Sequence, residues 1–404
     1  MDGQGSALTL RRTTLAWLAA LLVGAAALAA VSYRARDPDS RLYAEISARL
    51  AERPVREWIA PKFPEGWYLE GYFREHPAGL FWLPALAGRL GYPPAQAAYA
   101  ANALYQILTL VLCCALAAAL VEGIEARALA VLLQLLPVAF TYRIRANHEQ
   151  ALLLFLLLAL YGAERARRRV GWAAVIAVGL VGVLLVKGLF AVVAAVACAI
   201  WVLARRAAPG SSRAALLGLV AGVAVTAAAA LLYDSGHRAV TGEAFWAVNL
   251  GRQLGVASAP RSSAFWLDKS SNLVWYAARV LWFAFPWSLV LAWRSVGMVR
   301  RSAACPPGGA RDGLLFAQLF GLFALLAFSL SDRRADRYLF PVYYAVGAAG
   351  AVIGLRVFPR MRALFDRLDR HHPLPAVAVW LLTFGLHLLG GLVGLPTVKV
   401  WPPG

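Results

Sequence analysis

Long runs of apolar residues alternate with short polar segments along most of this 404-residue chain. A helix that crosses a hydrocarbon core of about 30 Å needs about 20 apolar residues. By that measure the pattern predicts about eleven spans, several of them short: 14–33, 96–120, 127–141, 149–163, 171–186, 188–204, 214–233, 273–293, 313–330, 338–355 and 376–394. The chain is therefore predicted to be an all-α polytopic membrane protein.

The basic residues indicate how these spans are oriented. With the amino terminus inside, the short inner segments carry nineteen of the forty Lys and Arg residues, and the short outer segments carry seven. This asymmetry matches the positive-inside rule, so we expect the amino terminus inside and the carboxyl terminus outside. The two long polar segments, 34–95 and 234–272, then form outer loops. The first run, 14–33, also fits a signal peptide, although ten further spans favour a retained anchor.

The first outer loop carries helical patterns of its own. Leu42, Ile46 and Leu50 recur every four residues between charged positions, which predicts an amphipathic helix beginning near Ser40. A second helix is predicted after Pro77, because proline is favoured in the first turn. We expect both helices to lie in the membrane interface.

Composition narrows the class of function. Hydrophobic residues make up 61% of the chain and charged residues 15%, which is typical of a protein that faces lipid. The formal net charge is +19, but no soluble basic domain accompanies it, so anionic lipid head groups are the expected partners rather than nucleic acid. No cysteine pair falls in an outer segment, and no Cys/His spacing of the zinc type occurs.

Basic residues in the outer segments are not explained by the inside rule. They come from five segments close to span ends, namely Arg143, Arg145, Lys187, Arg252, Arg261, Lys269, Arg333, Arg334 and Arg337. Such a cluster suits a phosphate or diphosphate at the lipid surface, because these groups make charge-assisted bonds to phosphate oxygens. The alternative is that each side chain extends from a span end to place its charge at the membrane interface and binds no ligand.

Acidic residues in the first outer loop supply candidate chemistry. Asp39 is a candidate general base, with helix capping as its alternative role. Glu75 is a second candidate catalytic carboxylate, and a surface pair with Arg74 is its alternative. A divalent metal ion is a further hypothesis, with Asp37, Asp39, His76 and His148 as its candidate ligands.

Ordered motifs in the chain resemble the membrane glycosyltransferases of the GT-C fold, in particular the aminoarabinose transferase and protein mannosyltransferase group. The matching residues are Asp39 with Tyr43-Ala44-Glu45-Ile46, Glu75-His76-Pro77 with Phe81-Trp82, Lys187-Gly188, then Phe245, Asn249 and Arg252, then Phe285-Pro286-Trp287, and finally Arg337-Tyr338 with Pro341. The resemblance implies one GT-C-like transmembrane domain over 1–404, without the carboxyl-terminal outer domain of longer relatives. His76 stands where the family pattern has lysine, so a mostly neutral group replaces a cation there.

The resemblance also implies a reaction. A sugar would pass, with inversion, from a polyprenyl phosphate carrier to an acceptor on the outer face of a bacterial plasma membrane. Asp39 would act as base, with the donor phosphate held by Lys187, Arg252 and Arg337. Arg143 and Arg145 from the outer basic set are further candidates for the phosphate. Sugar or acceptor contacts would come from Tyr43, His76, Trp82 and Tyr338.

Two other classes of protein remain open at this stage. A transporter or flippase for a lipid-linked sugar would also carry cations near the outer face, together with charged or broken helices near the midplane. An oligosaccharide polymerase or ligase would use the same carrier and transfer a whole glycan.

Overall fold

A computed structural model describes residues 38–67, 70–121, 123–143, 145–257, 265–299, 308–369, 371 and 374–392. The predicted first span, 14–33, lies outside these residues, as do Asp37 and Arg261. In the amino-terminal half the helices are α1 Pro38–Ala51, α2 Gly79–Arg89, α3 Pro94–Ala117, α4 Gly123–Leu132, α5 Pro137–Tyr142, α6 Glu149–Ala166, α7 Ala173–Lys187 and α8 Phe190–Ala204. In the carboxyl-terminal half they are α9 Ser212–Thr241, α10 Phe245–Ala257, α11 Phe265–Phe283, α12 Trp287–Val299, α13 Gly309–Ser329, α14 Phe340–Val357, α15 Pro359–Asp369 and α16 Leu374–Leu392.

The all-α membrane fold predicted from the sequence is confirmed in the described part of the chain. Five of its helices are long and apolar enough to cross a membrane, or six if one bent pair forms a single span. These five lie at Pro94–Ala117, Val170–Lys187, Ser212–Thr241, Gly309–Ser329 and Asp336–Val357. The count of eleven spans stays a prediction.

Two predicted spans are broken where the sequence has proline. The predicted span 127–141 is α4, a 3-10 turn at Leu133–Leu135, and then α5. Leu136 is extended, with φ −63° and ψ 138°, because the ring of Pro137 disfavours a helical residue before it. The predicted span 273–293 is likewise two helices, which meet at an angle of 114° around Pro286.

The two helices predicted in the first outer loop are present as α1 and α2. Leu42, Ile46 and Leu50 are all nearly inaccessible to solvent. They pack in the protein core against apolar residues that include Phe73 and Phe81. The four-residue repeat in α1 therefore reflects burial against protein, while the position of both helices at a membrane interface stays a prediction.

The second outer loop is more helical than the sequence pattern suggested. The long helix α9 continues to Thr241, eight residues beyond the predicted end of its span at 233. At about 1.5 Å per residue, this helix is about 45 Å long. Its last two turns lie beside the first outer loop, where they help to position the candidate site.

Polar contacts join loops into two groups, one at each end of the bundle. At one end Arg205 bonds Glu164 at 2.7 Å and Asp312 at 2.8 Å, and Arg356 bonds the buried Glu125 at 2.8 Å. All five residues belong to, or border, segments predicted to be inside. A buried ion pair of this kind keeps the helices that carry the two residues in contact, because separating them would leave an unpaired buried charge.

The opposite end brings together segments predicted to be outside. Ser40 Oγ donates to Asn147 Oδ1 at 2.8 Å, and Lys269 pairs with Asp332. The grouping of loops agrees with the charge-based prediction, and the assignment of one group to the inside stays a prediction.

Tyr233 of α9 fastens the first outer loop. Its hydroxyl accepts a hydrogen bond from the Ala78 amide at 2.8 Å and donates one to the Ile59 carbonyl at 2.9 Å. We expect Tyr233→Phe to destabilise the protein by about 1–3 kcal/mol, because both backbone groups lose their partner. Thermal unfolding in detergent measures this effect. Tyr161→Phe is the matched control, since no hydrogen bond of the Tyr161 hydroxyl appears among the described contacts, and an equal loss in that variant would contradict the assignment.

Candidate active site

A cavity of about 350 Å³ opens at the end of the bundle that is predicted to be outside. Its wall combines the first outer loop, the junction of α7 and α8, helix α10 and the segment before α14. The lining residues are Glu75, His76, Pro77, His148, Lys187, Gly188, Leu189, Phe190, Val193, Asn249, Arg252, Gln253, Phe328, Ser331, Arg333, Arg337 and Tyr338. Four of these side chains are cationic, whereas Glu75 is the one carboxylate on the described wall.

Lys187 is the last residue of α7 and is 9% exposed. Its Nζ has no hydrogen-bond partner among the described residues and lies 5.3 Å and 5.4 Å from the ring centroids of Phe190 and Tyr338. Glu149 lies near enough to interact electrostatically with this ammonium, but no hydrogen bond joins the two groups. A buried ammonium without hydrogen bonds is unfavourable unless a ligand supplies them. The Lys187 ammonium is therefore suited to receive an anion in this cavity.

The turn that presents Lys187 depends on glycine. Gly188 has φ +55°, a region that side-chain-bearing residues rarely adopt. A Cβ at this position would also lie 3.3 Å from the Trp246 ring. The turn between α7 and α8 is thus both tight and closely covered, which fixes where the lysine points.

Arg337 connects the cavity to the predicted base. It lines the cavity, and its Nη1 lies 2.8 Å from Asp39 Oδ2. The Asp39 side chain is 48% exposed and lies one ion pair away from the cavity wall rather than on it. Helix α1 begins at Pro38, so Asp39 lies in the first turn and is not the residue before the helix. The capping role considered for Asp39 is therefore wrong.

The start of α1 is fixed by its neighbour Ser40. Ser40 Oγ accepts a hydrogen bond from the Ala146 amide at 2.9 Å and donates one to Asn147 Oδ1. These bonds tie the first turn of α1 to the loop that precedes α6. The first turn of α1, which carries Asp39, is thereby held next to the loop that carries His148.

Glu75 is held by its backbone. Its carbonyl accepts hydrogen bonds from Asn249 Nδ2 at 3.1 Å and Gln253 Nε2 at 3.2 Å, one turn apart on α10. The alternative pairing with Arg74 is wrong, because the Arg74 guanidinium pairs with Glu243 at 2.5 Å. Glu75 lines the cavity, as does Arg252 of helix α10.

His76 and His148 form an edge-to-face pair with ring centroids 4.8 Å apart. His148 is fully buried, and neither ring nitrogen has an aligned hydrogen bond within the described chain, although Nε2 lies 3.1 Å from Glu149 Oε1. Burial, together with Lys187 and Arg337, lowers the pKa of both imidazoles well below their ordinary value of 6.5. Both rings are therefore neutral at pH 7.

The lowered pKa of each histidine predicts a pH dependence of stability. Below about pH 6.5 the unfolded chain takes up protons at these positions and the folded chain does not, so stability falls as the solution becomes acidic. Each histidine contributes up to about 1.4 kcal/mol per pH unit in this range. Thermal midpoints from pH 7.5 to 5 should therefore fall less steeply in His76→Gln and His148→Gln than in the native chain. Identical slopes would contradict the neutral state of both rings.

Of the residues predicted to contact the sugar or the acceptor, some line the cavity and others do not. Tyr338 lines the cavity and stacks on Phe328 at 5.4 Å. Tyr43 is buried, with its ring 6.2 Å from that of His148. Trp82 does not line the cavity, and its indole nitrogen donates to the Trp58 carbonyl at 3.0 Å. Trp82 therefore has a visible role in packing the outer loop.

Two predicted phosphate ligands lie away from the cavity. The Arg143 guanidinium is buried and bonds the Gln134 carbonyl at 3.2 Å. Arg145 stacks on the Tyr142 ring, 4.7 Å from its centroid. Both arginines therefore make contacts within the protein, and the structure does not support a phosphate-binding role for either.

The candidate metal ligands do not converge in the described part of the chain. No group of three His, Cys, Asp or Glu side chains is placed there to hold a metal ion. Asp39 is engaged by Arg337, whereas His76 and His148 face each other. The described residues therefore give no support to a metal ion at this site.

Gln253 and Ser331 line the cavity but were not singled out from the sequence, and Arg333 was singled out only as one of the outer basic residues. The pair of amides at Asn249 and Gln253, four residues apart on one helix face, is a sequence signal that would have indicated Gln253.

The described architecture has the GT-C fold, as comparison with two solved structures shows. The crystal structure of ArnT from Cupriavidus metallidurans bound to undecaprenyl phosphate shares the fold with a TM-score of 0.68 and 18% identity, over 99% of this chain and 79% of that one. The apo structure of the same protein gives a TM-score of 0.66 and 18% identity, over 96% of this chain and 78% of that one. No family model and no curated protein matches the chain.

Proposed function

We propose that this protein is a membrane glycosyltransferase that moves a hexose or pentose from a polyprenyl phosphate to a lipid, glycan or protein acceptor. The observation that carries the proposal is the buried, unpartnered ammonium of Lys187 in a cavity lined by three arginines. The GT-C fold supports it, as does the undecaprenyl phosphate bound to the similar ArnT. The proposed setting is a bacterial plasma membrane, with the amino terminus inside and the cavity on the outer face.

The proposed reaction is an inverting displacement. The acceptor hydroxyl attacks the anomeric carbon on the side opposite the phosphate, and its proton passes to the Asp39 carboxylate. The bond between the anomeric carbon and the phosphate oxygen breaks, and its electrons remain on the departing polyprenyl phosphate. A positioned base of this kind contributes about 10²–10⁴ to the rate.

The cations act on the departing group. The phosphate gains negative charge as the bond breaks, so groups that are already in place stabilise the transition state more than the bound donor. Lys187, Arg252 and Arg337 are assigned to this role. Glu75, whose carbonyl is fixed by two amides, is assigned to positioning the acceptor or the sugar.

Reconstituted protein tests the proposal directly. Purified protein in lipid vesicles receives a panel of polyprenyl phosphate sugars with membrane-extract acceptors, and free polyprenyl phosphate is measured by mass spectrometry. We expect release with at least one donor. Movement of labelled carrier between leaflets without any release would instead identify a flippase, and release of carrier diphosphate from long glycans would identify a polymerase or ligase.

A further inference from the structure

The loop between α13 and α14 contributes four residues to the cavity wall, namely Ser331, Arg333, Arg337 and Tyr338. Arg337 also pairs with Asp39 at 2.8 Å. The Arg333 side chain is exposed, and no hydrogen bond or ion pair of its guanidinium occurs within the described part of the chain. Its cationic head is therefore open to an anionic ligand in the cavity.

Asn272 of α11 holds the loop backbone on either side of Arg333. Its Nδ2 donates hydrogen bonds to the Ser331 carbonyl at 2.7 Å and the Ser329 carbonyl at 3.2 Å, and its Oδ1 accepts one from Arg334 Nε at 2.7 Å. Asn272 is only 1% exposed, so leaving its amide without these partners would be costly. The adjacent arginines thus have different surroundings, since Arg334 is bonded to α11 and Arg333 faces the cavity.

Two further residues of α11 contact the same loop. Tyr276 is fully buried one turn further along the helix. Its hydroxyl accepts a hydrogen bond from the Ala335 amide at 3.3 Å and donates one to the Arg333 carbonyl at 3.4 Å. Lys269, one turn earlier, forms an ion pair with Asp332. Residues three and four positions apart share a face of a helix, so one face of α11 holds the loop.

Arg337 is held by other contacts. The Tyr343 hydroxyl donates to the Asp336 carbonyl at 2.7 Å, and the Arg337 amide donates to Asp336 Oδ1 at 2.8 Å. The Arg337 guanidinium is bonded to Asp39. The two cavity-lining arginines of the loop are therefore fixed by different parts of the protein, and α11 acts on Arg333.

We propose that Arg333 is a further ligand of the donor phosphate and that Asn272 positions it from α11. This inference rests on the proposed function, because it adds one residue to the phosphate site. A cation whose backbone is fixed in advance loses less conformational freedom when the phosphate binds, and it needs no rearrangement as charge develops on the leaving group. Asn272 acts through Arg333, since it does not line the cavity itself.

Binding of bare polyprenyl phosphate, followed by calorimetry in a non-ionic detergent, tests the ligand role. At about 0.1 M salt we expect Arg333→Gln to lower the affinity about three- to fivefold, as for a partly exposed charge pair. The loss should shrink at about 0.5 M salt, because dissolved ions screen an exposed charge. Arg56→Gln is the matched control, since Arg56 is an exposed outer-loop arginine outside the cavity. Unchanged affinity in Arg333→Gln, or an equal loss in Arg56→Gln, would overturn the ligand role.

A double-mutant cycle tests the positioning role. Asn272→Leu should lower the affinity by a similar factor in the native background and in Lys187→Met, and it should have no further effect in Arg333→Gln. A general loss of structure would lower the affinity in every background and would not produce this pattern. Tyr276→Phe, which removes one hydroxyl, provides the same comparison if Asn272→Leu does not fold. Unchanged affinity in the native background, or a further loss in Arg333→Gln, would overturn the positioning role.

The proposed function can fail separately. If the native protein binds no polyprenyl phosphate, the donor site and the role of Arg333 are both overturned. Binding by the native protein that is unaffected by Arg333→Gln would overturn this inference alone.

Discussion

Lys187→Met should lower the affinity for polyprenyl phosphate ten- to a hundredfold without lowering the thermal stability of the free protein. Each hydrogen bond to a charged group contributes about 1.5–3 kcal/mol, and Lys187 Nζ has no other partner in the described chain to compensate. Methionine has a similar length and fills the space between Phe190 and Tyr338. Because the replacement also removes a buried ammonium that no hydrogen bond in the described chain satisfies, we expect the midpoint of unfolding to stay the same or rise.

Two measurements on the same preparation check this prediction. Binding of polyprenyl phosphate is followed by calorimetry in detergent, and unfolding is followed by thermal denaturation. Lys62→Met is the matched control, because Lys62 is an exposed outer-loop lysine outside the cavity. Unchanged affinity in Lys187→Met would reject the phosphate role, and a lower midpoint without a change in affinity would indicate a structural residue.

Asp39→Asn should reduce turnover by about 10²–10⁴ while leaving donor affinity within a few fold of the native value. The amide oxygen of asparagine still accepts a hydrogen bond from Arg337, so the ion-pair geometry is approximated without a basic oxygen. Turnover is measured as carrier release under single-turnover conditions, and affinity is measured separately. This division between rate and binding is the expected result of removing a base.

Glu45→Gln is the matched control for this variant. Glu45 lies on the same helix α1 and makes a comparable ion pair, with Arg49 at 3.0 Å. We expect its turnover to remain near that of the native chain, because a partly exposed pair between neighbouring helical turns contributes little. Asp39→Asn with at least half of native turnover would contradict the assignment of the base, as would an equal loss in Glu45→Gln.

Local signals in the sequence predicted several parts of the site. The four-residue repeat at Leu42, Ile46 and Leu50 predicted helix α1, and its apolar side is buried as such a repeat requires. The Lys187-Gly188 step was singled out from its family resemblance, and the positive φ of Gly188 explains why the glycine is needed. These features depend on neighbouring residues, which a sequence displays directly.

Contacts between distant segments were not predictable in the same way. Asp39 and Arg337 are 298 positions apart and meet because the first outer loop folds over the start of α14. The sequence places nine basic residues of the outer segments near span ends and does not distinguish between them, but only four of the nine line the cavity in the described part of the chain. Arg143 instead bonds Gln134, and Arg334 bonds Asn272 at 2.7 Å. Which span ends are neighbours is decided by helix packing, and the hydrophobic pattern does not encode it.

The breaks in two predicted spans were signalled in the sequence by proline, but the length of the apolar runs alone predicted continuous helices. Pro137 and Pro286 both lie inside apolar runs long enough to be taken as single spans. Proline removes a backbone donor and disfavours a helical residue before it, so each run divides at that point. Counting apolar residues alone therefore overestimated the continuity of both spans.

A structure of the protein in lipid with polyprenyl phosphate bound is the most direct test of the proposed site. We expect the phosphate in the outer cavity, with an oxygen about 2.7–2.9 Å from Lys187 Nζ and with Arg252 and Arg337 around it. A phosphate bound elsewhere, with Lys187 Nζ still lacking a partner, would contradict the proposed donor site and the reaction derived from it.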